Sequence, residues 1–305
     1  MSTVRIGVDL GGTKIEAIAL GMGGEILANR RIASPRDDYA GTLAAIAGLV
    51  AGIETEIGST ATVGLGMPGA LSPASGLVKN ANSTWLIGRP FDRDLADALG
   101  REVRLANDAD CFALSEATDG AGAGTYCVFG VILGTGVGGG IVVGGKLLKG
   151  SNAIAGEWGH NPLPWPTDDE RPGPPCYCGQ QGCIETFLSG PGLALDYAAA
   201  AGMEAEPAII ASSAEAGEQD ALDALARYCD RLARALAGVI NIIDPHVIVL
   251  GGGLSHLPAL CETVPDLWSA YIFSDRIDTA LVPAKYGDAS GVRGAAWLWP
   301  EEAGS

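Results

Sequence analysis

Residues 4–19, VRIGVDLGGTKIEAIA, carry the pattern that decides the fold. Apolar side chains alternate with other residues over positions 4–10 and again over 15–19, as half-buried strands require, and Gly11-Gly12 separates the two runs. After a second glycine-rich turn, residues 25–31 read as a third strand. We therefore predict a meander of three strands at the start of a sheet.

Helical and strand patterns alternate after the meander. Residues 42–57 and 93–99 have helical apolar spacing, and residues 61–65 form a short strand pattern. Strands followed by alternating helices and strands predict an α/β fold, with a mixed sheet covered by helices.

The second half repeats this order. Residues 126–133 read as a strand, 134–140 as a glycine-rich turn and 141–143 as the start of a return strand. Apolar residues at steps of three and four predict a helix over 222–243, which Asp244-Pro245 ends.

Two further segments complete the predicted second half. A buried strand over 247–250 leads into Gly251-Gly252-Gly253, and residues 290–299 form a helical pattern with two tryptophans. With a boundary near Gly120, we predict a smaller domain of residues 1–119 plus 290–305 and a larger domain of residues 120–289.

Composition limits the function. A chain of 305 residues, 48% hydrophobic, can bury a large core, and its net charge of -17 argues against nucleic-acid binding, which depends on Lys and Arg. Its beginning has no basic stretch followed by an apolar signal core, and we expect no apolar run of about 18 residues. We therefore expect a cytoplasmic protein without membrane partners.

Polar residues around the first glycine turn indicate phosphate binding. Asp9 precedes the turn, where a carboxylate can bind hydrated Mg²⁺, and Thr13 and Lys14 follow it with a hydroxyl and a cation. Glycines let backbone N–H groups approach phosphate oxygens closely. The spacing differs from a Walker A loop and from a Rossmann fingerprint, because the turn opens another strand.

A second group of residues has metal-ligand spacing. His160 ends the stretch GEWGH at 156–160, and Cys176, Cys178 and Cys183 lie in CYCGQQGCIE at 176–185. One His and three Cys predict a tetrahedral Zn²⁺ that is structural, because the protein fills every position. The alternative is a set of reduced surface thiols.

These motifs together resemble the ROK family of bacterial sugar kinases. The resemblance rests on DLGGTK at 9–14, LGTGVG at 133–138, EWGH at 157–160, the 176–185 run and LGGG at 250–253. It is closest to the ROK fructokinases, through KNANSTW at 79–85, GHNPLPW at 159–165 and SGVRGAAWLW at 290–299. It implies a two-domain, actin-like, ribonuclease-H-like fold with ATP and sugar meeting in a central cleft.

The resemblance also implies roles for single residues. Taken alone, Asn107-Asp108 reads as a turn or a helix cap, whereas the family places its catalytic base at this aspartate. Asn82 is expected to join the sugar-binding residues, although Asn80 is an equally close alternative. The residues expected to bind sugar hydroxyls are Asn107, Glu157, His160 and Glu185, and those expected at ATP are Gly11, Gly12, Thr13, Lys14, Gly134, Thr135, Gly136, Gly251, Gly252 and Gly253.

The expected function is an ATP-dependent hexose kinase with fructose as its leading substrate, and relatives suggest a homodimer. Glucokinase, mannokinase and N-acetylmannosamine kinase are alternatives within the kinases. A sugar-sensing regulator is the alternative outside them. Such regulators carry a DNA-binding domain before the first strand, where we find only residues 1–3.

Overall fold

The structure is a computed structural model that describes residues 4–81 and 83–300. Asn82, which we expected at the sugar, lies outside the described residues. The chain divides into two compact units. Unit 1 comprises Met1–Gly124, Gly140–Ala155 and Asp288–Ser305, and unit 2 comprises Thr125–Gly139 and Gly156–Gly287.

Unit 1 contains a five-stranded sheet in the order β3-β2-β1-β4-β7. Its strands are β1 (Arg5–Leu10), β2 (Lys14–Leu20), β3 (Ile26–Ala33), β4 (Thr62–Met67) and β7 (Val103–Asn107), and a small hairpin is formed by β5 (Ala70–Leu71) and β6 (Val78–Lys79). The first three strands are antiparallel, which confirms the predicted meander. β4 runs parallel to both β1 and β7, so the sheet is mixed.

The α-helices in the described residues of unit 1 are α1 (Tyr39–Ile57), α2 (Phe91–Leu99), α3 (Asp108–Thr118) and α9 (Ser290–Trp297). α1 begins where the Asp38 side chain accepts a hydrogen bond from the Gly41 N–H, and it ends at left-handed Gly58. The helices expected over 42–57 and 93–99 are confirmed. α3 was not predicted, but its N-cap is Asn107.

By length and composition alone, α1 could cross a membrane, with a mean hydropathy of 1.4. It is not the continuous apolar run that we expected to be absent, because it includes Thr42, Glu54 and Glu56. Its Ala, Ile, Leu and Val residues raise the mean hydropathy. One such helix is weak evidence for a membrane span, and Ile46, Val50 and Ile53 are fully buried in the hydrophobic core of unit 1.

The second sheet has the order β10-β9-β8-β11-β12. Its strands are β8 (Cys127–Leu133), β9 (Val137–Val143), β10 (Lys146–Leu147), β11 (Val247–Gly251) and β12 (Ala280–Pro283). β11 lies parallel to both β8 and β12. The predicted boundary near Gly120 put residues 140–155 in the second domain. Here they belong to unit 1. The middle of β9 packs closely against the start of α3, because a Cβ on Gly140 would lie 2.7 Å from the Ala109 carbonyl oxygen.

The helices of unit 2 are α4 (Ile184–Leu188), α5 (Gly190–Ala201), α6 (Pro207–Glu215), α7 (Gln219–Ile243) and α8 (Pro258–Leu267). The helix predicted over 222–243 corresponds to α7, which ends at Asp244 in the left-handed conformation. Leu232, Leu236 and Ala233 are fully buried, so α7 is a central core helix of unit 2.

Buried charges fix α7 to the loop around residues 161–171. Glu170 accepts hydrogen bonds from the guanidinium groups of Arg231 and Arg234, each at 2.8 Å. The Nη1 of Arg234 also donates to the Trp165 carbonyl at 2.9 Å. Burial opposes ionisation of Glu170, but the hydrogen bonds from the two arginines outweigh it and lower its pKa to about 2. The loop that follows His160 is therefore anchored through charged partners.

α9 packs on β1, β4 and α3, and glycines at the contacts let the backbones approach closely. A Cβ on Gly64 would lie 1.8 Å from the Ala295 carbonyl oxygen, and a Cβ on Gly294 would lie 1.6 Å from the Cys111 carbonyl oxygen. The tryptophan after the helix is also engaged, because the Trp299 indole N–H donates to the Val63 carbonyl at 2.7 Å. No side chain fits between these backbones, so the two glycines define the packing.

Replacing Gly294 with alanine should therefore destabilise unit 1. The added methyl group would force α9 away from α3, and we expect the free energy of unfolding to fall by about 3 kcal/mol. Gly48→Ala is a matched control in another helix, because a Cβ there meets no atom within 4 Å. Urea unfolding of that variant should show a gain of about 0.5–1 kcal/mol. Equal effects of the two substitutions would contradict the close contact.

Candidate active site

The first glycine turn connects β1 to β2 in unit 1. The Gly11 N–H donates to the Lys14 carbonyl at 3.0 Å, which closes the turn. Ser34 holds it from the far end of β3: its Oγ donates to the Gly11 carbonyl at 2.7 Å, and its N–H donates to the Thr13 carbonyl at 3.0 Å. Gly12 and Thr13 remain exposed. Ser34 was not predicted, because nothing in the local sequence links it to the turn.

Two carboxylates lie near each other beside this turn. Burial, and next the charge of Asp108, raise the pKa of Asp9 to about 6, while nearby Lys14 acts in the opposite direction. Asp9 follows the apolar part of β1, and Asp108 begins α3 directly after β7. Both therefore stand near the carboxyl ends of parallel strands, where open α/β sheets bind ligands.

Asn107 and Asp108 form a helix N-terminus with defined bonds. The Asn107 Oδ1 accepts from the Ala109 N–H at 2.9 Å, and its Nδ2 donates to the Gly69 carbonyl at 3.1 Å. The Asp108 Oδ1 accepts from the same Ala109 N–H at 2.8 Å. Asp108 is exposed, whereas Asn107 is half-buried. The pair is thus both a helix cap and a fixed carboxylate that a ligand can reach.

The predicted metal ligands meet in unit 2. One ligand atom from each of His160, Cys176, Cys178 and Cys183 lies within 4.8 Å of the others. The Cys176 Sγ lies 3.6 Å from the His160 Nδ1, and the Cys178 Sγ lies 3.6 Å from the Cys183 Sγ. A tetrahedron with ordinary zinc bond lengths has edges of roughly 3.5–3.8 Å, so these two pairs fit Zn²⁺.

A compact loop holds the cysteines. The Cys176 N–H donates to the Gln180 carbonyl at 2.8 Å, and the Ile184 N–H donates to the Asn161 carbonyl at 2.8 Å. The second bond joins the segment after Cys183 to the residue after His160. Trp158 fixes that segment from the other side, because its indole N–H donates to the Gly138 carbonyl at 2.9 Å.

Tyr177 is a residue of this site that the sequence analysis missed. Its hydroxyl lies 2.9 Å from the His160 Nε2, and the two rings pack edge to face. Partial burial of the hydroxyl, followed by the charges of Glu185, Cys176 and Glu157, raises the pKa of Tyr177 to about 12. The charges of both predicted glutamates therefore act on the hydroxyl group that contacts His160. The only signal in the sequence was the position of Tyr177 between two metal-type cysteines.

The second glycine turn is closed in the same way as the first. The Gly134 N–H donates to the Gly136 carbonyl at 3.0 Å, and the Gly190 N–H donates to the Gly134 carbonyl at 2.7 Å. Thr135 is exposed at its tip. The carboxylate of Glu185 accepts a hydrogen bond from the Val137 N–H at 2.8 Å. A residue that we predicted to bind sugar therefore contacts the segment directly after the turn that we predicted to bind phosphate.

The third turn, Gly251-Gly252-Gly253, follows β11 next to the end of β8. Gly252 has a φ of 83°, and a Cβ there would lie 2.4 Å from the Leu133 carbonyl oxygen. Ser255 fixes the turn, because its Oγ donates to the Gly252 carbonyl at 2.7 Å. The parallel pairing of β8 and β11 places this turn and the one at 134–136 at the same edge of the sheet.

The structure thus brings the predicted residues together in two sets. Unit 1 contains Asp9, the 11–14 turn, Asn107 and Asp108. Unit 2 contains the metal-type cluster, both glutamates and the other two glycine turns. Asn80, the alternative to Asn82, is exposed and has a φ of 56°.

Known proteins similar to this chain share most of its length. The N-acetyl-D-glucosamine kinases of Vibrio cholerae and Vibrio vulnificus are 41% and 40% identical to it, each over 96% of this chain and 98% of the relative. The likeness to fructokinases that we expected has no support from these two relatives, and fructose stays a prediction.

Solved structures of ROK proteins also match nearly the whole chain. The ROK hexokinase from Thermus thermophilus matches with a TM-score of 0.85 and 31% identity, covering 96% of both chains. The ROK family glucokinase from Streptomyces griseus, solved with glucose and AMPPNP, matches with a TM-score of 0.75 and 29% identity over 97% of this chain and 98% of that one. The predicted α/β, actin-like fold class is confirmed. Since the ROK family model also matches residues 5–302, this chain belongs to the ROK family.

Proposed function

We propose that this ATP-dependent sugar kinase phosphorylates N-acetyl-D-glucosamine. The observation that carries the proposal is the 41% identity to the N-acetyl-D-glucosamine kinase of Vibrio cholerae over 96% of this chain. The reaction would transfer the γ-phosphoryl group of ATP to a hydroxyl of the sugar. Fructose, expected from the sequence, and the other hexoses named above are the competing substrates.

The nucleotide would bind through backbone N–H groups at the glycine turns. Ser34 keeps the first turn closed, which leaves exposed Gly12 and Thr13 to meet phosphate oxygens, and Lys14 adds a cation. Gly134, Thr135 and Gly136 would serve the same end of ATP, and Gly251 to Gly253 its adenosine. Asp9 would hold hydrated Mg²⁺, which would neutralise phosphate charge when bound. Burial and the charge of Asp108 raise the pKa of Asp9, and a divalent cation bound there would favour its ionised form.

Asp108 would accept the proton of the attacking hydroxyl. It is exposed, and the Ala109 N–H donates to its Oδ1, which holds the carboxylate at the start of α3 where a ligand can reach it. The second Nδ2 hydrogen of Asn107 would bind a sugar hydroxyl, because the first is used by Gly69. Glu157, His160 and Glu185 would bind the other hydroxyls. We add Tyr177 to these sugar-binding residues, because its hydroxyl lies within hydrogen-bond distance of the His160 Nε2.

The cluster of His160, Cys176, Cys178 and Cys183 would hold a structural Zn²⁺. Its donor set and the two distances of 3.6 Å support this assignment. Zinc would fix the ring of His160 through Nδ1, which leaves Nε2 to carry the proton and to donate outward. The alternative of reduced surface thiols is less favoured, because Cys176 and Cys183 are buried together. The cytoplasmic location and the homodimer stay predictions.

Substrate choice is tested by ADP release with Mg-ATP across N-acetyl-D-glucosamine, fructose, glucose, mannose and N-acetylmannosamine, with a no-sugar control. We expect kcat/KM to be highest for N-acetyl-D-glucosamine, by roughly 10–100-fold over fructose, because a site that binds polar groups penalises a sugar that leaves them unpaired. A higher value for fructose would restore the fructokinase prediction. Release that no sugar stimulates would refute the kinase.

Asp108→Asn tests the base. The variant should bind N-acetyl-D-glucosamine with nearly normal affinity, while kcat falls by about 10²–10⁴-fold, because the amide cannot accept the proton. Asp97→Asn makes the same chemical change at an exposed position of α2 and should leave both constants unaltered. Steady-state kinetics with a thermal melt of each variant provide the measurement. Turnover near that of wild type would remove Asp108 from the mechanism.

Cys183→Ser tests the metal. Wild type should contain about one zinc per chain by plasma mass spectrometry, and the variant should lose it. We expect its KM for N-acetyl-D-glucosamine to rise by roughly 10–100-fold, because His160 loses its fixed orientation. Cys261→Ser, outside the cluster on α8, should keep both zinc and sugar affinity. Metal-free wild type with unchanged sugar affinity would contradict the role of zinc.

A further inference from the structure

The Glu185 carboxylate hydrogen-bonds to the residue that follows the glycine turn at 134–136, and Glu185 lies in the first turn of α4, directly after the metal-type cluster. The Val137 N–H, directly after the turn, donates to its Oε2 at 2.8 Å. This is a hydrogen bond to an ionised acceptor, a class roughly twice as strong as a neutral one. Its Oε1 accepts no hydrogen bond from the residues that the structure describes, and the side chain is half-buried. One oxygen is thus committed to the turn, and the other is available.

The turn leaves no room for Glu185 to move toward it. A Cβ on Gly136 would lie 2.7 Å from the Glu185 Oε2, whereas a Cβ on Gly134 would meet no atom within 4 Å. Neither glycine has a positive φ, so alanine suits both backbones. Gly136 therefore has a specific neighbour in Glu185, which Gly134 lacks.

Glu185 is also tied to the metal-type cluster. It lies in the first turn of α4, whose N-cap is Cys183, and the Ile184 N–H donates to the Asn161 carbonyl. The carboxylate therefore joins two structures through short connections: the segment that carries His160 and the turn that carries Thr135. No other side chain in the part of the chain that the structure describes hydrogen-bonds to the Val137 N–H.

We propose that Glu185 is a positioning residue shared by the sugar site and the glycine turn, so that the turn sets sugar affinity and the carboxylate sets nucleotide affinity. This inference rests on the proposed function. Through Oε1 the carboxylate binds a sugar hydroxyl, and through Oε2 it holds the turn that receives phosphate. Because such coupling is reciprocal, sugar and ATP each strengthen the binding of the other.

The first test changes the turn and measures the sugar. N-acetyl-D-glucosamine is titrated by calorimetry without nucleotide into wild type, Gly136→Ala and Gly134→Ala. The methyl group at 136 should displace Glu185 and weaken sugar binding by at least about 10-fold, the loss of one charge-assisted hydrogen bond. The methyl group at 134 should change the affinity by less than about 2-fold. Thermal melts check that both variants fold.

The second test changes the carboxylate and measures the nucleotide. Glu185→Gln should raise the KM of ATP by roughly 10-fold along with that of the sugar, because the neutral amide holds the Val137 N–H weakly. Glu157→Gln is the matched control. It removes the charge of the other predicted sugar carboxylate, which makes no hydrogen bond to the turn among the residues that the structure describes, and it should raise only the KM of the sugar. A purely sugar-binding role for Glu185 would leave the KM of ATP unmoved.

The outcomes separate the two proposals. Sugar binding by wild type, together with equally tight binding by Gly136→Ala, would overturn the shared role of Glu185 and leave the kinase intact. A wild type that binds no hexose would refute the proposed function itself. Faster amide exchange of Val137 in Glu185→Gln would support the link independently of turnover.

Discussion

The backbone contact of α9 with β1, β4 and α3 is the constraint on which unit 1 depends. Glycines at 64 and 294 let carbonyl oxygens approach where any Cβ would collide. β1 carries Asp9 near its end, and α3 begins at Asp108, so the helix that covers them also fixes both carboxylates. Gly291 in α9 faces the Asp9 carboxyl group at 3.9 Å from its missing Cβ. The packing of α9 thus constrains the elements that carry Asp9 and Asp108.

Electrostatics then favours a cation in unit 1 and polar recognition in unit 2. Asp9 and Asp108 repel each other, and a net charge of -17 gives the chain no general attraction for phosphate. In the proposed function, anionic phosphates would therefore be bound locally, by N–H groups of the closed turns, by Lys14 and by a divalent cation. In unit 2 the Glu185 carboxylate accepts from the Val137 N–H, and the Tyr177 hydroxyl lies beside His160; in the proposed function these groups would bind neutral hydroxyls.

Local signals predicted most of the fold, and long-range contacts account for what they missed. Alternation over 4–10 predicted β1, and the cysteine spacing at 176–183 predicted a cluster that folding brings together. Ser34 closes a turn that lies 23 residues earlier, and Glu185 reaches an N–H group 48 residues away. No pattern of propensity records such pairs. The preferred hexose was also beyond the sequence pattern, because it depends on a few hydrogen bonds of the sugar site.

The division of the chain into interleaved segments has a consequence for folding during synthesis. Every segment of unit 2 lies before Asp288, whereas unit 1 needs α9, which follows all of unit 2. A ribosome therefore completes unit 2 while β1 and β4 of unit 1 still lack the helix that covers them. The apolar face of the first sheet stays exposed until α9 has been synthesised. Chaperones that bind the nascent chain should therefore act mainly on the segment of unit 1 that is made first.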